Sequence, residues 1–156
     1  MKIVGIIPAR GGSKRTQDKN IKLFCGKPLI AWTILCAKKS KGLSRIIVST
    51  DSPKIARIAK QYGAEVPFLR PAEFATNTIG IEPVMRHAYE WLKTNNAYTA
   101  DALALLFCTN PLRQPRHIDE SIDSMKKTGC DSVIAVNETP ANHTPYWTFV
   151  RAAQGN

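Results

Sequence analysis

IVGIIPARGGSKRTQDKNI, residues 3–21, runs an uninterrupted apolar segment straight into a loop with two adjacent glycines and the cations Arg10, Lys14, Arg15 and Lys19. A run such as 3–7, with no polar residue on either alternate face, reads as a strand buried on both sides. Such strands belong to parallel sheets covered by helices. Working outward, the same reading applies to 45–49, 65–69, 102–107 and 132–136. Helical patterns separate these runs. Pro28 precedes an apolar-periodic stretch at 29–39, and Ser52-Pro53 supplies an N-cap and a proline at the first helical position for 53–62, with Gly63 where that helix should stop. Ile81, Val84, Met85, Ala88 and Leu92 share one face, as do Ile118, Ile122 and Met125. The last helix carries Asp119, Glu120 and Asp123 early and Lys126-Lys127 late, which suits the helix dipole. The order predicts one α/β domain over 1–156, a three-layer Rossmann-like arrangement around a mostly parallel sheet.

The chain has 156 residues, enough for one sizeable core without disulfides. Cys25, Cys36, Cys108 and Cys130 form no C-x-x-C pair and read as reduced thiols. The first apolar run is too short for a secretory signal, and no stretch approaches a membrane span, so a cytoplasmic protein is expected. Residues 1–60 hold fourteen of the 22 Lys and Arg, and only two acids, Asp18 and Asp51. That N-terminal excess attracts polyanions but does not by itself separate nucleic acid from a nucleoside triphosphate. No recognition-helix motif or aromatic platform accompanies it, so a nucleic-acid-binding module is the weaker reading. Residues 70–80 and the tail after Asn137 resist assignment. The tail's Tyr146, Trp147 and Phe149 have no further strand or helix to pack on, which suggests a partner surface or a chain that stops early.

Ligands of open α/β sheets bind beyond the carboxyl ends of the strands, where the glycine-rich loop emerges. Glycine lets backbone amides approach phosphate oxygens and the cations supply countercharge. A solvated turn in which Gly11-Gly12 merely provide positive φ is the alternative. The spacing is not that of a Walker A loop, because Ser13 precedes Lys14 and no helix follows at once. It is not a dinucleotide fingerprint either, since the two glycines are adjacent.

Together with GKPLIAWTI (26–34), RIIVSTDSPKIARIAKQYGAEVPFLRPAEFATNT (45–78) and CTNPLRQPRHIDESID (108–123), the opening loop resembles the cytidylyltransferases that activate sialic and related nonulosonic acids, the CMP-acylneuraminate synthetases. The resemblance implies attack of a sugar acid's anomeric hydroxyl on the α-phosphate of CTP, giving a CMP-sugar and pyrophosphate. It assigns Arg10 and Lys14 to the β- and γ-phosphates, Lys19 to the α-phosphate and Asn20 to the nucleoside, with Ser13 and the Gly11 and Gly12 amides completing the cradle. Lys19 and Arg10 are then the catalytic cations. Arg70 and Thr78 fall in the loop that surrounds cytosine and ribose; for Arg70 a surface ion pair with Glu73 is the competing reading. Asp51 could touch nucleotide or form an Asx-turn into the helix at Pro53.

Thr109, Asn110, Arg113 and His143 fall where the family binds its sugar, with Arg113 or Arg116 available for a carboxylate, or else as surface groups at a helix start. Many sialic-acid enzymes have Gln-Pro-Thr-Ser-Pro-Leu-Arg where this chain has Phe107-Cys108-Thr109-Asn110-Pro111-Leu112-Arg113, so a different nonulosonic acid or another sugar acid is implied. The family's Asp-x-Asp pair for Mg²⁺ is absent from these 156 residues, and the resemblance implies roughly the N-terminal two-thirds of a family domain that normally dimerises. The alternatives are a related nucleotidyltransferase with another triphosphate and a sugar phosphate, or an inactive remnant that still binds nucleotide. His87 and His117 are expected to be exposed.

Overall fold

The computed structural model describes residues 1–12, 16–76 and 78–136. At its centre β1 (Ile3–Pro8) lies between β4 (Arg45–Ser49) and β5 (Ala102–Leu105), all parallel, in the order β4-β1-β5. Gly5 is opposite Ile46 on one side and Ala104 on the other. Strand alternation divides the core. Ile3 and Ile7 point to one face with Val48, where they meet α1 (Leu29–Lys38), α2 (Pro53–Gln61) and α4 (Pro115–Thr128) through Ile30, Ile34, Ile55, Ile118 and Ile122. Val4 and Ile6 point to the opposite face with Ile47, covered by Ala88 and Leu92 of α3 (Ile81–Asn96). These side chains are almost completely buried, each contributing about 1.5–3 kcal/mol by leaving water. Helices on both faces of a parallel sheet make the expected three-layer α/β domain. Among the described residues no helix is long and apolar enough to cross a membrane.

The caps follow the local chemistry. Ser52 Oγ accepts from the Ile55 amide at 3.4 Å and Pro53 opens α2 without forfeiting a donor. Gly63 follows α2 at φ +88°, a conformation that costs a side-chain-bearing residue energy. Short elements absent from the residue pattern complete the front of the domain. The hairpin β2 (Leu23–Phe24) and β3 (Lys27–Pro28) turns at Cys25 and Gly26, both at positive φ, and the Phe24 carbonyl accepts from Trp32 Nε1 at 2.8 Å.

Two expected strands do not form. Of 65–69 only Glu65 joins the sheet, as a single parallel bridge to Ile47. Pro67 has no N–H to continue the ladder, and Leu69 is 52% exposed. Residues 132–136 bury no face, with Ile134 and Val136 80% and 86% exposed. Phe107 likewise lies beyond the end of β5.

Asp119 departs from its expected role. Because α4 begins at Pro115 its first turn holds no acid, and the Asp119 carboxylate reaches across to the loop after α1. There it accepts from Ser40 Oγ at 2.5 Å and from the Lys41 and Gly42 amides at 3.1 Å. Burial pushes this carboxyl up, but the Ser40 hydroxyl and the two amides outweigh it and hold it below the ordinary carboxylate range. A depressed folded-state value stabilises the fold above the unfolded-state range, and that stabilisation fades as pH falls through the folded value. Asp119→Ala is therefore expected to lower unfolding stability by about 2 kcal/mol near neutral pH and by less under acid, read from urea midpoints at the two conditions. Equal losses at both would contradict this role.

Candidate functional site

The carboxyl ends of β1 and β5 open onto a cavity of about 590 Å³. Arg10, Lys19, Asn20, Arg70 and Thr109 line it, so five of the residues singled out from sequence converge there. Local structure accounts for the first three. Lys19–Ile21 forms a short 3₁₀ helix, entered through Asp18 at φ 52°, and carries Asn20 into the interior. Asn20 Nδ2 donates to the Arg10 carbonyl at 3.0 Å, tying the far half of the loop to the end of β1. The tie brings Lys19 to the same cavity as Arg10, although nine positions separate them in the chain.

Arg70 is not the surface partner of Glu73. It is 6% exposed, its amide donates to the Thr50 carbonyl at 2.7 Å, and its guanidinium donates to the Ser49 carbonyl at 2.8 Å and the Phe74 carbonyl at 3.2 Å. Nε has no partner among the described residues. Burial pushes this guanidinium down; Asp51 offsets part of that effect and Arg10 adds to it. A buried cation close to a second cation favours an anion between them.

The loop glycines do not serve the positive-φ turn. Neither Gly11 nor Gly12 adopts a positive φ. The Gly11 amide donates to Asp51 Oδ1 at 2.9 Å, and a side chain at Gly11 would press on Ser52 Cβ at 3.3 Å. Gly11 thus lets the loop lie close against the β4–α2 turn, and Asp51 holds it there. Gly12 is exposed with open space around its Cα. Thr78 is exposed and its hydroxyl is 3.4 Å from that of Thr76, which lines the cavity. Asn110 and Arg113 are not among the lining residues. Arg113 Nη2 instead donates to the Phe107 carbonyl at 3.2 Å. Ser13, Lys14 and His143 lie outside the described residues.

The pattern of charges and glycines missed the apolar part of the lining. Ile79, Ile81 and Val84, around the start of α3, together with Phe107, give the cavity an apolar side. The available signal was an isoleucine on each side of Gly80, one of them 37% exposed. Cys108 also lines the cavity, but burial pushes its thiol up to about 12 against the pull of Arg113 and Lys19, so it has no thiolate nucleophile to offer. His87 is half-buried rather than exposed, packed on Phe68 and Phe74 with ring centroids at 4.8 and 5.1 Å. It supports the segment that carries Arg70. His117 is exposed, as expected, and its Nδ1 accepts from the Gln114 amide at 3.3 Å.

Mg²⁺ demands oxygen ligands, chiefly carboxylates and phosphates. Among the described residues no Asp or Glu lines the cavity, and no three His, Cys, Asp or Glu side chains cluster as a metal site. Asp51 spends one oxygen on Gly11. The described residues do not by themselves fit the ion.

A family model described as cytidylyltransferase matches residues 4–148. A CMP-N,N'-diacetyllegionaminic acid synthase from Legionella pneumophila is 41% identical over 157 aligned positions, covering 100% of this chain and 66% of the relative. An N-acylneuraminate cytidylyltransferase from Escherichia coli is 36% identical, over 90% of this chain and 33% of that protein. The structure of CMP:2-keto-3-deoxy-manno-octonic acid synthetase complexed with CTP superimposes with a TM-score of 0.67 at 24% identity, covering 83% of this chain and 49% of the other. At that identity the likeness concerns the fold. The chain thus spans between a third and two-thirds of these proteins' lengths.

Proposed function

Since the chain belongs to the cytidylyltransferase family, we propose that it binds CTP in the cavity at the end of β1 and presents the α-phosphate to a nine-carbon sugar acid. The anomeric hydroxyl oxygen bonds to the α-phosphorus, the bond to the bridging oxygen breaks, and CMP-sugar and pyrophosphate leave; the hydroxyl proton passes to solvent. The observation that carries this reading is the convergence of Arg10, Lys19, Asn20 and Arg70 on one cavity. Such a transfer depends on positioning and on neutralising charge. Arg10, with Lys14, holds the β- and γ-phosphates and stabilises the departing pyrophosphate. Lys19 faces the α-phosphate, where charge redistributes in the transition state. Asn20 and Arg70 orient the nucleoside, with Thr76 in the wall nearby. Gly12 and Ser13 supply the remaining amide donors, because the Gly11 amide is already held by Asp51. Family Mg²⁺ would need ligands beyond the described residues. Assembly as a cytoplasmic homodimer belongs to the same proposal.

Competition binding among CTP, UTP and GTP tests the assignment. CTP should bind at least about tenfold tighter than the other two, since a site that hydrogen-bonds one base leaves polar groups unpaired with another. Tighter binding of UTP or GTP would replace this reading with that of a nucleotidyltransferase for a different triphosphate.

A further inference from the structure

One turn holds both arginines of the cavity. Residues 49–52 lead out of β4 into α2. The Ser49 carbonyl accepts from the Ala9 amide at 3.0 Å and from the Arg70 guanidinium at 2.8 Å, and the Thr50 carbonyl accepts from the Arg70 amide at 2.7 Å. Asp51 Oδ1 accepts from the Gly11 amide at 2.9 Å. Ala9 and Gly11 flank Arg10, so the chain is tied to this turn on both sides of that residue. The ties through Ser49 and Thr50 use main-chain carbonyls and survive a change of side chain there. Of these contacts, only the tie through Asp51 depends on which side chain is present. Asp51 is half-buried and is not among the residues lining the cavity. Its charge nevertheless acts on Arg70, and a carboxylate so placed opposes an anion held by the same arginines. A carboxylate that works against the proposed ligand calls for another role, and the Gly11 bond supplies one.

We propose that Asp51 is a positioning residue for the triphosphate: its bond to the Gly11 amide sets where Arg10 stands relative to Arg70, and so governs the grip on the β- and γ-phosphates but not on a nucleoside monophosphate. The inference rests on the proposed function, which gives Arg10 to those two phosphates. Charge and position then pull in opposite directions. If Asp51 acted only through its charge, removing it would favour CTP, the more highly charged ligand, over CMP. Because it holds Gly11, removing it frees the chain after Arg10 and disfavours CTP relative to CMP. Asparagine separates the two effects, since its amide oxygen accepts the same bond without the charge. A hydrogen bond to a charged group is worth about 10- to 150-fold. Asn20 still holds the Arg10 carbonyl when Asp51 is changed, which places the expectation at the lower end, about tenfold.

The test titrates CTP and CMP into the whole 156-residue chain without added divalent metal and reads the ratio of their affinities. Asp51→Ala should lower the CTP-to-CMP ratio about tenfold, while CMP affinity, which also reports that the variant is folded, stays near the parent value. Asp51→Asn should keep the parent ratio or raise it. In an Arg10→Met background, where the guanidinium to be positioned is gone, Asp51→Ala should lower the ratio no further. A merely structural role of Asp51 would weaken CTP and CMP together and leave the ratio unchanged. An unchanged or raised ratio in Asp51→Ala, an equal fall in Asp51→Asn, or a full tenfold fall in the Arg10→Met background would overturn the proposal. Failure of the parent chain to bind CTP would instead refute the underlying reading, and the proposal with it.

Discussion

Lys19→Ala is expected to lower the rate of pyrophosphate release about 100-fold or more while weakening CTP binding by only about tenfold. Lys19 stands on the cavity wall, at the head of a 3₁₀ turn whose next residue, Asn20, is locked to the Arg10 carbonyl. Its backbone is therefore fixed at the cavity, where the proposed function puts the α-phosphate. A group that meets the charge developing at the reacting phosphorus acts more on the transition state than on bound CTP. If Arg10 holds the departing phosphates as proposed, Arg10→Ala should reduce both quantities together. Rates with saturating CTP and sugar acid, set beside equilibrium CTP titrations, separate the two patterns. If Lys19→Ala lost affinity and rate in equal proportion, its assignment to the α-phosphate would be wrong.

The second large effect concerns Arg70→Met, which is expected to cost about 2–4 kcal/mol of stability as well as most CTP affinity. The guanidinium bridges the carbonyls of Ser49 and Phe74, and so joins the end of β4 to the segment that brings Thr76 to the cavity. Methionine fills a similar volume but donates nothing, leaving both carbonyls without this donor. Arg70→Lys keeps the charge and can reach one carbonyl but not both, so it should recover part of the stability and less of the binding. Urea unfolding and CTP titration of the two variants check this. Normal CTP affinity in a folded Arg70→Met protein would remove Arg70 from the site.

Much of the site can be recognised in the amino-acid order because its chemistry is local. A strand leading into a glycine-bearing cationic loop has few other uses, and Arg10, Lys19 and Asn20 occupy one stretch of chain. Residues whose role depends on a distant partner were harder to read. Asp51 suggested a turn or a nucleotide contact, yet it accepts from Gly11, forty positions away. Asp119 suggested a helix-dipole charge, yet it fastens the loop after α1. A surface ion pair with Glu73 competed with the nucleotide role for Arg70, and His87 looked exposed, yet both are drawn inward by packing that periodicity does not report. The 65–69 run carried a strand's apolar content, but Pro67 interrupted its hydrogen bonding after a single bridge.

Side-chain periodicity and capping chemistry are properties of neighbouring residues, so the amino-acid sequence alone determined the parallel α/β plan, the main helices and the cationic loop. The tertiary structure alone decided which charges face the cavity and which serve the scaffold, and it brought apolar side chains into the same cavity as the cations. Those outcomes depend on how far each group is removed from water and on the carbonyl, amide or ring that folding brings beside it, neither of which is encoded in spacing along the chain.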